Sequence, residues 1–280
     1  ESTTGLGASV ACVLNVSADH MDRYNNLMGY HQAKHRIFQA CKAVVVNGND
    51  ALTNPLVPDT VTQTRFSLGE PDVGQFGVLT KHGEKWLAKG MYCIMPVKKM
   101  ALKGGHNIAN GLAALALGEA AGLPMDAMVS TLTTFTGLPH RCEHVANIDG
   151  VSYINDSKGT NVGATVAAIE GLGPELKGKI ILIAGGEGKG ADFSDLAAPV
   201  SKFCKQTLLI GADAQRIKQV LFDSSIFFDA KDMQTAVSIA HENAVSGDLV
   251  LLSPACASFD AYDNFESRGL HFSQLVRALI

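Results

Sequence analysis

Between Gly150 and Pro174 the chain sets an acid, two hydroxyls, a lysine and two amides almost side by side, in the run Asn155-Asp156-Ser157-Lys158-Gly159-Thr160-Asn161. An apolar, strand-like segment at 151–154 leads in and a helix-like segment leads out. Part of this is ordinary capping. Thr160 or Asn161 would take up the free N–H groups of a first helical turn, and Gly171, Gly173 and Pro174 would stop that helix. Capping gives no reason for Asp156 next to Lys158, so a ligand site stays open beside the plain strand–helix joint. Two more strand ends are loaded in the same way. Gly185-Gly186-Glu187-Gly188-Lys189-Gly190 follows the apolar run 179–184, and Ser253-Pro254-Ala255-Cys256-Ala257-Ser258 follows 248–252. If these strands are parallel, the three loops open on one rim, where ligands of open α/β sheets bind. Asp156 and Lys158 are then candidates to face a shared cleft.

Other candidates carry two readings each. Gly186-x-Gly188-x-x-Ala191, with Asp213 further on, fits a dinucleotide-binding fingerprint after a strand. Against it, Glu187 would repel a pyrophosphate, and a flexible glycine turn explains the loop equally well. Tyr30, Lys34, Ile37 and Cys41 share one face of a helix expected over 28–41. Lys34 either snorkels to water from that face or is held at fixed depth in a cleft. Asp19, His20 and Asp22 follow a strand at 9–16 and could meet a metal, although a lone histidine is often structural. Asn107 and Asn110, three apart on a helix, either point together at a planar ligand or serve as a cap and a surface amide.

The elements that must position these groups fall into two parts. Beyond Pro139, strand-like runs at 151–155, 179–184, 207–210, 226–229 and 248–252 alternate with helix-like runs such as 233–244. That rhythm predicts an open, mainly parallel sheet, preceded by a hairpin turning at Asp149-Gly150. The first half is less regular. A strand at 43–47, a hairpin turning at His82-Gly83, a helix opening at Gly104-Gly105-His106 and a shorter helix over 125–135 are expected. Gly137 and Pro139 mark the boundary, giving domains 1–137 and 138–280.

At 280 residues and 46% hydrophobic the chain can bury two cores. A formal net charge of −4 gives no basic surface for nucleic acid, and no apolar run is long enough to span a bilayer. The six cysteines are dispersed, without a C-x-x-C pair, which argues for free thiols in a reducing compartment. The chain begins at Glu1 within what reads as an element, as a piece of a longer protein would.

Several of these segments together resemble one family. "NVSADHMDRY", the helix carrying Lys34, "GGHNIANGLAALALGEAAGLP", "TFTGLPHRCEHV", "INDSKGTNVGAT" and "LLSPACASFDAYDNFESRGLHF" are similar to the Mur ligases of bacterial cell-wall synthesis, and most to their D-glutamate-adding branch. The resemblance covers essentially the whole chain. It implies a C-terminal Rossmann-like, doubly wound sheet preceded by the later part of a mononucleotide-binding α/β ATPase domain. It implies a cytoplasmic, monomeric enzyme that joins D-glutamate to UDP-N-acetylmuramoyl-L-alanine with ATP and Mg2+, and that takes part in cell division and cell shape. The diamino-acid-adding branch carries an Asp-Asn-Pro-Arg stretch that this sequence lacks. A phosphate loop of the form G-x-x-x-x-G-K followed by Ser or Thr is also absent, so the chain by itself is expected to be inactive.

The resemblance also assigns roles. His20 is similar to a magnesium ligand. Lys34 matches a lysine that is carbamylated to a carboxylate-like metal ligand. Asn107 and Asn110 look like adenine contacts, Arg141 and Asp156 like contacts to ATP phosphate and ribose. Lys158, Thr160, Lys189, Ser258 and Phe265 (through its backbone) look like the D-glutamate pocket, and Glu187 stands where the family loop also accepts an acid. The competing expectations are an NAD-dependent dehydrogenase using the 185–190 loop, and another amino-acid-adding ligase of the Mur or folylpolyglutamate type.

Overall fold

The computed structural model describes residues 5–17, 23–222 and 226–280. The described chain divides into two compact units, one over residues 5–17 and 24–136, the other over 137–222 and 226–280.

In the first unit the strands are Val10–Val13 (β1), Ala43–Asn47 (β2), Thr62–Phe66 (β3), Phe76–Lys81 (β4), Glu84–Lys89 (β5) and Tyr92–Pro96 (β6). They form one sheet in sequence order. β1 to β4 pair in parallel, and β4, β5 and β6 pair antiparallel. The β4–β5 hairpin turns at His82 and Gly83, with φ of 52° and 78°, the left-handed pair that a two-residue turn demands. Gly105–Ala120 (α2) lays Leu112, Leu115 and Ala116 against Val45, Phe66, Phe76 and Leu87, and Met125–Thr134 (α3) packs beside it.

Leu27–His35 forms a helix (α1), opened by Asn26, whose side chain accepts from the Gly29 N–H. The expected helix to Cys41 is cut short. Arg36–Phe38 tightens into a 3-10 turn and Ala40 turns left-handed at φ 56°. Ile37 and Cys41 therefore leave the face predicted for them, while the Tyr30–Lys34 spacing, one turn apart, survives. The strand expected over 9–16 is likewise only β1.

In the second unit, Glu143–Ile148 (β7) and Val151–Asn155 (β8) form the Asp149-Gly150 hairpin. There follow Val162–Leu172 (α4), Ile180–Gly185 (β9), Ala197–Phe203 (α5), Cys204–Ile210 (β10), Ala214–Leu221 (α6), Ile226–Asp229 (β11), Met233–Asn243 (α7), Leu249–Leu252 (β12) and Phe265–Arg277 (α8). The sheet runs β11-β10-β9-β12-β8-β7 and is parallel except for β7. Alternation along the strands sets the two cores. Ile180, Leu182, Leu249 and Leu251 meet Ile169, Val200 and Ile217 of α4, α5 and α6. Ile181, Ile183, Val250 and Leu252 meet Met233, Val237, Phe272 and Val276 of α7 and α8.

This order creates the site. β8 and β9, consecutive in the chain, are not adjacent, because β12 returns between them. Loops from β8 and β9 run to the α4–α5 face, and the loop from β12 runs to α8 on the other. Chains that part in this way leave a crevice beyond the strand ends.

Close approach at that crevice relies on glycine. A Cβ on Gly185, at φ 120°, would lie 1.9 Å from the Ile210 carbonyl oxygen; Gly190, at φ 75°, has open space around it. Gly185→Ala is therefore expected to destabilise the second unit by more than about 3 kcal/mol, and Gly190→Ala by only about 1–2 kcal/mol. Urea unfolding of the two variants checks the contrast.

Candidate active site at the strand ends of the second unit

Two of the three loops are bound together by one side chain. Arg268, on α8, is 1% exposed. Its Nε donates to Ser157 Oγ at 3.0 Å, Nη2 to Ser157 O at 2.9 Å and Cys256 O at 3.2 Å, and Nη1 to Cys256 O and Ala257 O at 3.1 and 3.2 Å. One planar guanidinium thus ties the β8 loop to the β12 loop. Burial lowers its pKa to about 10, so it remains a cation at neutral pH. The β9 loop joins through paired backbone bonds between Glu187 and Ala257, 3.0 and 2.9 Å long. Ser157 Oγ in turn donates to the Phe265 carbonyl at 2.8 Å. Four of the described non-glycine residues with left-handed backbone lie here: His140, Cys142, Lys189 and Ala255. Such strain persists only where the surroundings hold it.

Asp156, 7% exposed, follows β8. Its Oδ2 accepts from Ser253 Oγ at 2.7 Å and its Oδ1 from the Cys142 N–H at 3.2 Å. Burial pushes the carboxyl up to about 6, against the pull of these bonds and of nearby Arg141. Thr165 Oγ1 lies 3.1 Å from Ser253 Oγ and extends the chain of hydroxyls inward. Asn161, not Thr160, caps α4, accepting from the Ala164 N–H at 2.9 Å. Thr160 is thereby left half-buried on the loop.

Lys158 and Lys189 are the rim's cations. Lys158 Nζ lies 4.2 Å from the centroid of the Phe265 ring, and Lys189 Nζ lies 5.5 Å from that of Phe259. Neither makes an ion pair among the described residues. Ser258 is 2% exposed, with its carbonyl accepting from Ala261 and Tyr262 at 3.1 and 2.8 Å. Glu187 is exposed. Arg141 is exposed beside the left-handed His140.

The glycine loop is not a dinucleotide site. Asp213 spends one carboxylate oxygen on the Gly188 N–H at 2.6 Å and the other on Arg216 at 2.9 Å. A Cβ at Gly186 would lie 2.2 Å from the Ala257 carbonyl oxygen, so the glycines admit the β12 loop rather than a pyrophosphate. The next α-helix, α5, begins only at Ala197, too late to offer its N-terminus to the loop.

Of the first-unit candidates, Lys34 is half-buried. Its Nζ sits 4.8 Å from the Tyr30 ring centroid, beside an open depression lined by Cys12, Val13, Leu14, Asn15 and Ile37. Asn107 does not cap α2, which Gly104 opens at φ 93°; its Nδ2 donates back to Lys103 O at 2.7 Å. Asn110 is exposed. His20, with Asp19 and Asp22, lies outside the described residues.

Two family models match the chain. One, described as the Mur ligase middle domain, covers residues 2–118; the other, the Mur ligase glutamate ligase domain, covers 140–256. The chain belongs to the Mur ligase family. UDP-N-acetylmuramoylalanine–D-glutamate ligases of Pseudomonas fluorescens and Acinetobacter baylyi are 52% and 51% identical to it. The alignments take in all of this chain but only 62% and 63% of those proteins. The fold is also that of MurF ligase from Thermotoga maritima in complex with ADP. There the TM-score is 0.70 at 15% identity, over 99% of this chain and 64% of that one. For a Mur ligase, residues in the described part that sequence reasoning passed over are Arg268, Ser157, Ser253, His140 and Phe259. Arg268 was signalled: with Phe272 and Val276 it repeats every fourth residue on the inward face of α8, as Lys34 does on α1.

The raised Asp156 carboxyl has a definite pH consequence. Its folded value, about 6, exceeds the ordinary 3.8, so the folded chain binds the proton more tightly than the unfolded one. Stability from this group is greatest below pH 3.8 and is lost as pH rises toward 6, by roughly 3 kcal/mol. The stability of the wild type minus that of Asp156→Asn, from urea midpoints between pH 4 and 8, should fall across that window and then level off.

Proposed function

We propose that this chain is the catalytic and amino-acid-binding part of a ligase that adds D-glutamate to UDP-N-acetylmuramoyl-L-alanine with ATP. The observation that carries the reading is the pair of cations at the rim, Lys158 and Lys189, left without a carboxylate partner among the described residues. D-Glutamate brings two carboxylates, and two fixed ammonium groups are a chemically matched receptor for them. The identity with D-glutamate ligases points the same way.

In this reading Lys158 and Lys189 bind the amino acid's carboxylates, with hydroxyls of Thr160 and Ser258 and the Phe265 backbone completing the pocket. They fix the amine in one position for attack. ATP supplies the activation, converting the acceptor's carboxylate to an acyl phosphate. Asp156 and Arg141 are assigned to ATP. Because Asp156 already accepts two protein hydrogen bonds, it has lone pairs rather than a whole side chain left to offer. Holding amine and acyl group together is chiefly a task of orientation, which suits loops locked by Arg268. Asn107 and Asn110 are assigned to adenine, although the Asn107 amide is turned toward Lys103 in this structure.

Magnesium fits the described residues less well. No group of three His, Cys, Asp or Glu among them could hold a metal, and Lys34 as an ammonium is not a donor. A carbamylated Lys34 would supply a carboxylate-like oxygen, and with it His20 is assigned to the ion.

Kinetics on a ligase of the relatives' full length, read as ADP release, test the assignment, with the 280-residue chain alone expected to give none. Lys189→Ala should raise KM for D-glutamate about ten- to a hundredfold, the worth of one charge-assisted hydrogen bond, and leave that for ATP nearly unchanged. Asp156→Ala should do the opposite. Equal effects on both substrates would refute the partition. For Lys34, Lys34→Ala should abolish turnover, and short-chain carboxylates should restore part of it. Failure of rescue, with no mass increment of a carbamate on the wild type at high bicarbonate, would count against the modification.

A further inference from the structure

Each rim cation rests on an aromatic ring, and both rings come from the same short stretch after β12. Phe265 opens α8. Its ring lies under Lys158 Nζ and stands edge-on to His140 at 6.2 Å. Its carbonyl is held by Ser157 Oγ, and Asn264 before it caps the helix by accepting from the Ser267 N–H at 2.7 Å. Phe259 carries Lys189 and is 63% exposed, a large apolar side chain standing out at a polar rim. Its neighbours are fixed on both sides. The Ser258 carbonyl closes the turn to Ala261 and Tyr262, and Asp260 Oδ2 accepts from the Ala212 N–H at 2.8 Å. The rings are thus mounted on anchored backbone, while the lysines reach them from two other loops.

A lysine at a binding rim must be held without being neutralised. A carboxylate would hold it more tightly, but would compete with an incoming carboxylate and repel it. A ring face attracts the ammonium through its quadrupole, carries no net charge and leaves the other side of the cation open. We propose that Phe259 and Phe265 are positioning residues that hold Lys189 and Lys158 in place for the two carboxylates of the amino-acid substrate. This rests on the D-glutamate reading above and adds the specificity device to it: an acidic amino acid is selected by two ammonium groups whose tethers among the described residues are uncharged rings.

The test uses the full-length ligase with Phe259→Leu and Phe265→Leu, which keep apolar bulk and remove the π face, beside Phe259→Trp, which keeps it. Phe259→Leu should raise KM for D-glutamate about 2- to 5-fold, the exposed case. Phe265→Leu, at the closer and more buried pair, should raise it up to about 30-fold. KM for ATP and the urea midpoint of the Phe259 variant should stay unchanged, and Phe259→Trp should behave as wild type. Stepwise fluorination of the residue 259 ring should raise KM for D-glutamate with each fluorine, a trend that shape alone does not produce. An unchanged KM across Leu and fluorinated variants overturns the proposal. So does a joint rise for both substrates with a lower urea midpoint, which marks a merely structural role. A wild-type ligase that releases no ADP in response to D-glutamate overturns the functional reading itself, before any variant is compared.

Discussion

The second unit depends on a buried guanidinium. Taking a cation out of water costs several kcal/mol even after relaxation, and Arg268 is compensated not by a carboxylate but by backbone carbonyls and one hydroxyl of the loops it joins. The compensation and the architecture are therefore the same bonds. If the β8 loop or the β12 loop moved away, the guanidinium would lose acceptors with no water at hand to replace them. Lysine could not substitute, because a single ammonium lacks the planar fork that reaches Ser157, Cys256 and Ala257 together. A charge that looks expensive in isolation sets the distance between two loops whose own sequences are short and flexible.

The glycines and the left-handed residues follow from that lock. Once the β12 loop is drawn in, Gly186 must let the Ala257 carbonyl pass, while Gly185, on the other side of β9, clears the Ile210 carbonyl at the end of β10. Lys189 and Ala255, which are not glycine, accept the same left-handed backbone at a cost of about 1–2 kcal/mol each. Lys189 gains from it, since the strained turn aims its side chain from the β9 loop toward Phe259. Strain here is a means of pointing, and Arg268 together with the Glu187–Ala257 bridge keeps it from relaxing.

Much of this was readable in the residues. Fully apolar runs such as 180–184, bounded by glycine, identified buried parallel strands, and Asp149-Gly150 and His82-Gly83 identified hairpins by turn chemistry alone. The loaded strand ends were visible as well. Three things were not. The insertion of β12 between β8 and β9 is a long-range choice that local pattern does not encode. The end of α1 at His35 is decided by the 3-10 turn and the left-handed Ala40, in a stretch whose apolar spacing still reads as helix. Ser253, Phe265 and Phe259 lie 97, 107 and 70 positions beyond Asp156, Lys158 and Lys189, and periodicity is blind to such pairs.

Charge at the rim ends up sorted by depth, and the sorting has a reason. Asp156, the acid, is sunk to 7% exposure and clamped by Ser253 and the Cys142 N–H, so its field is held inside the loop and it does not reach out to pair with Lys158 two residues on. Arg268 is buried too, its donors consumed by carbonyls and the Ser157 hydroxyl. Lys158 and Lys189 keep their charge accessible, and each lies against a ring. An anionic ligand approaching these loops therefore meets two ammonium groups that no described carboxylate pairs with. The pattern follows from which groups the fold buries and which it leaves on aromatic supports. It would be lost if Asp156 were freed to swing toward either lysine.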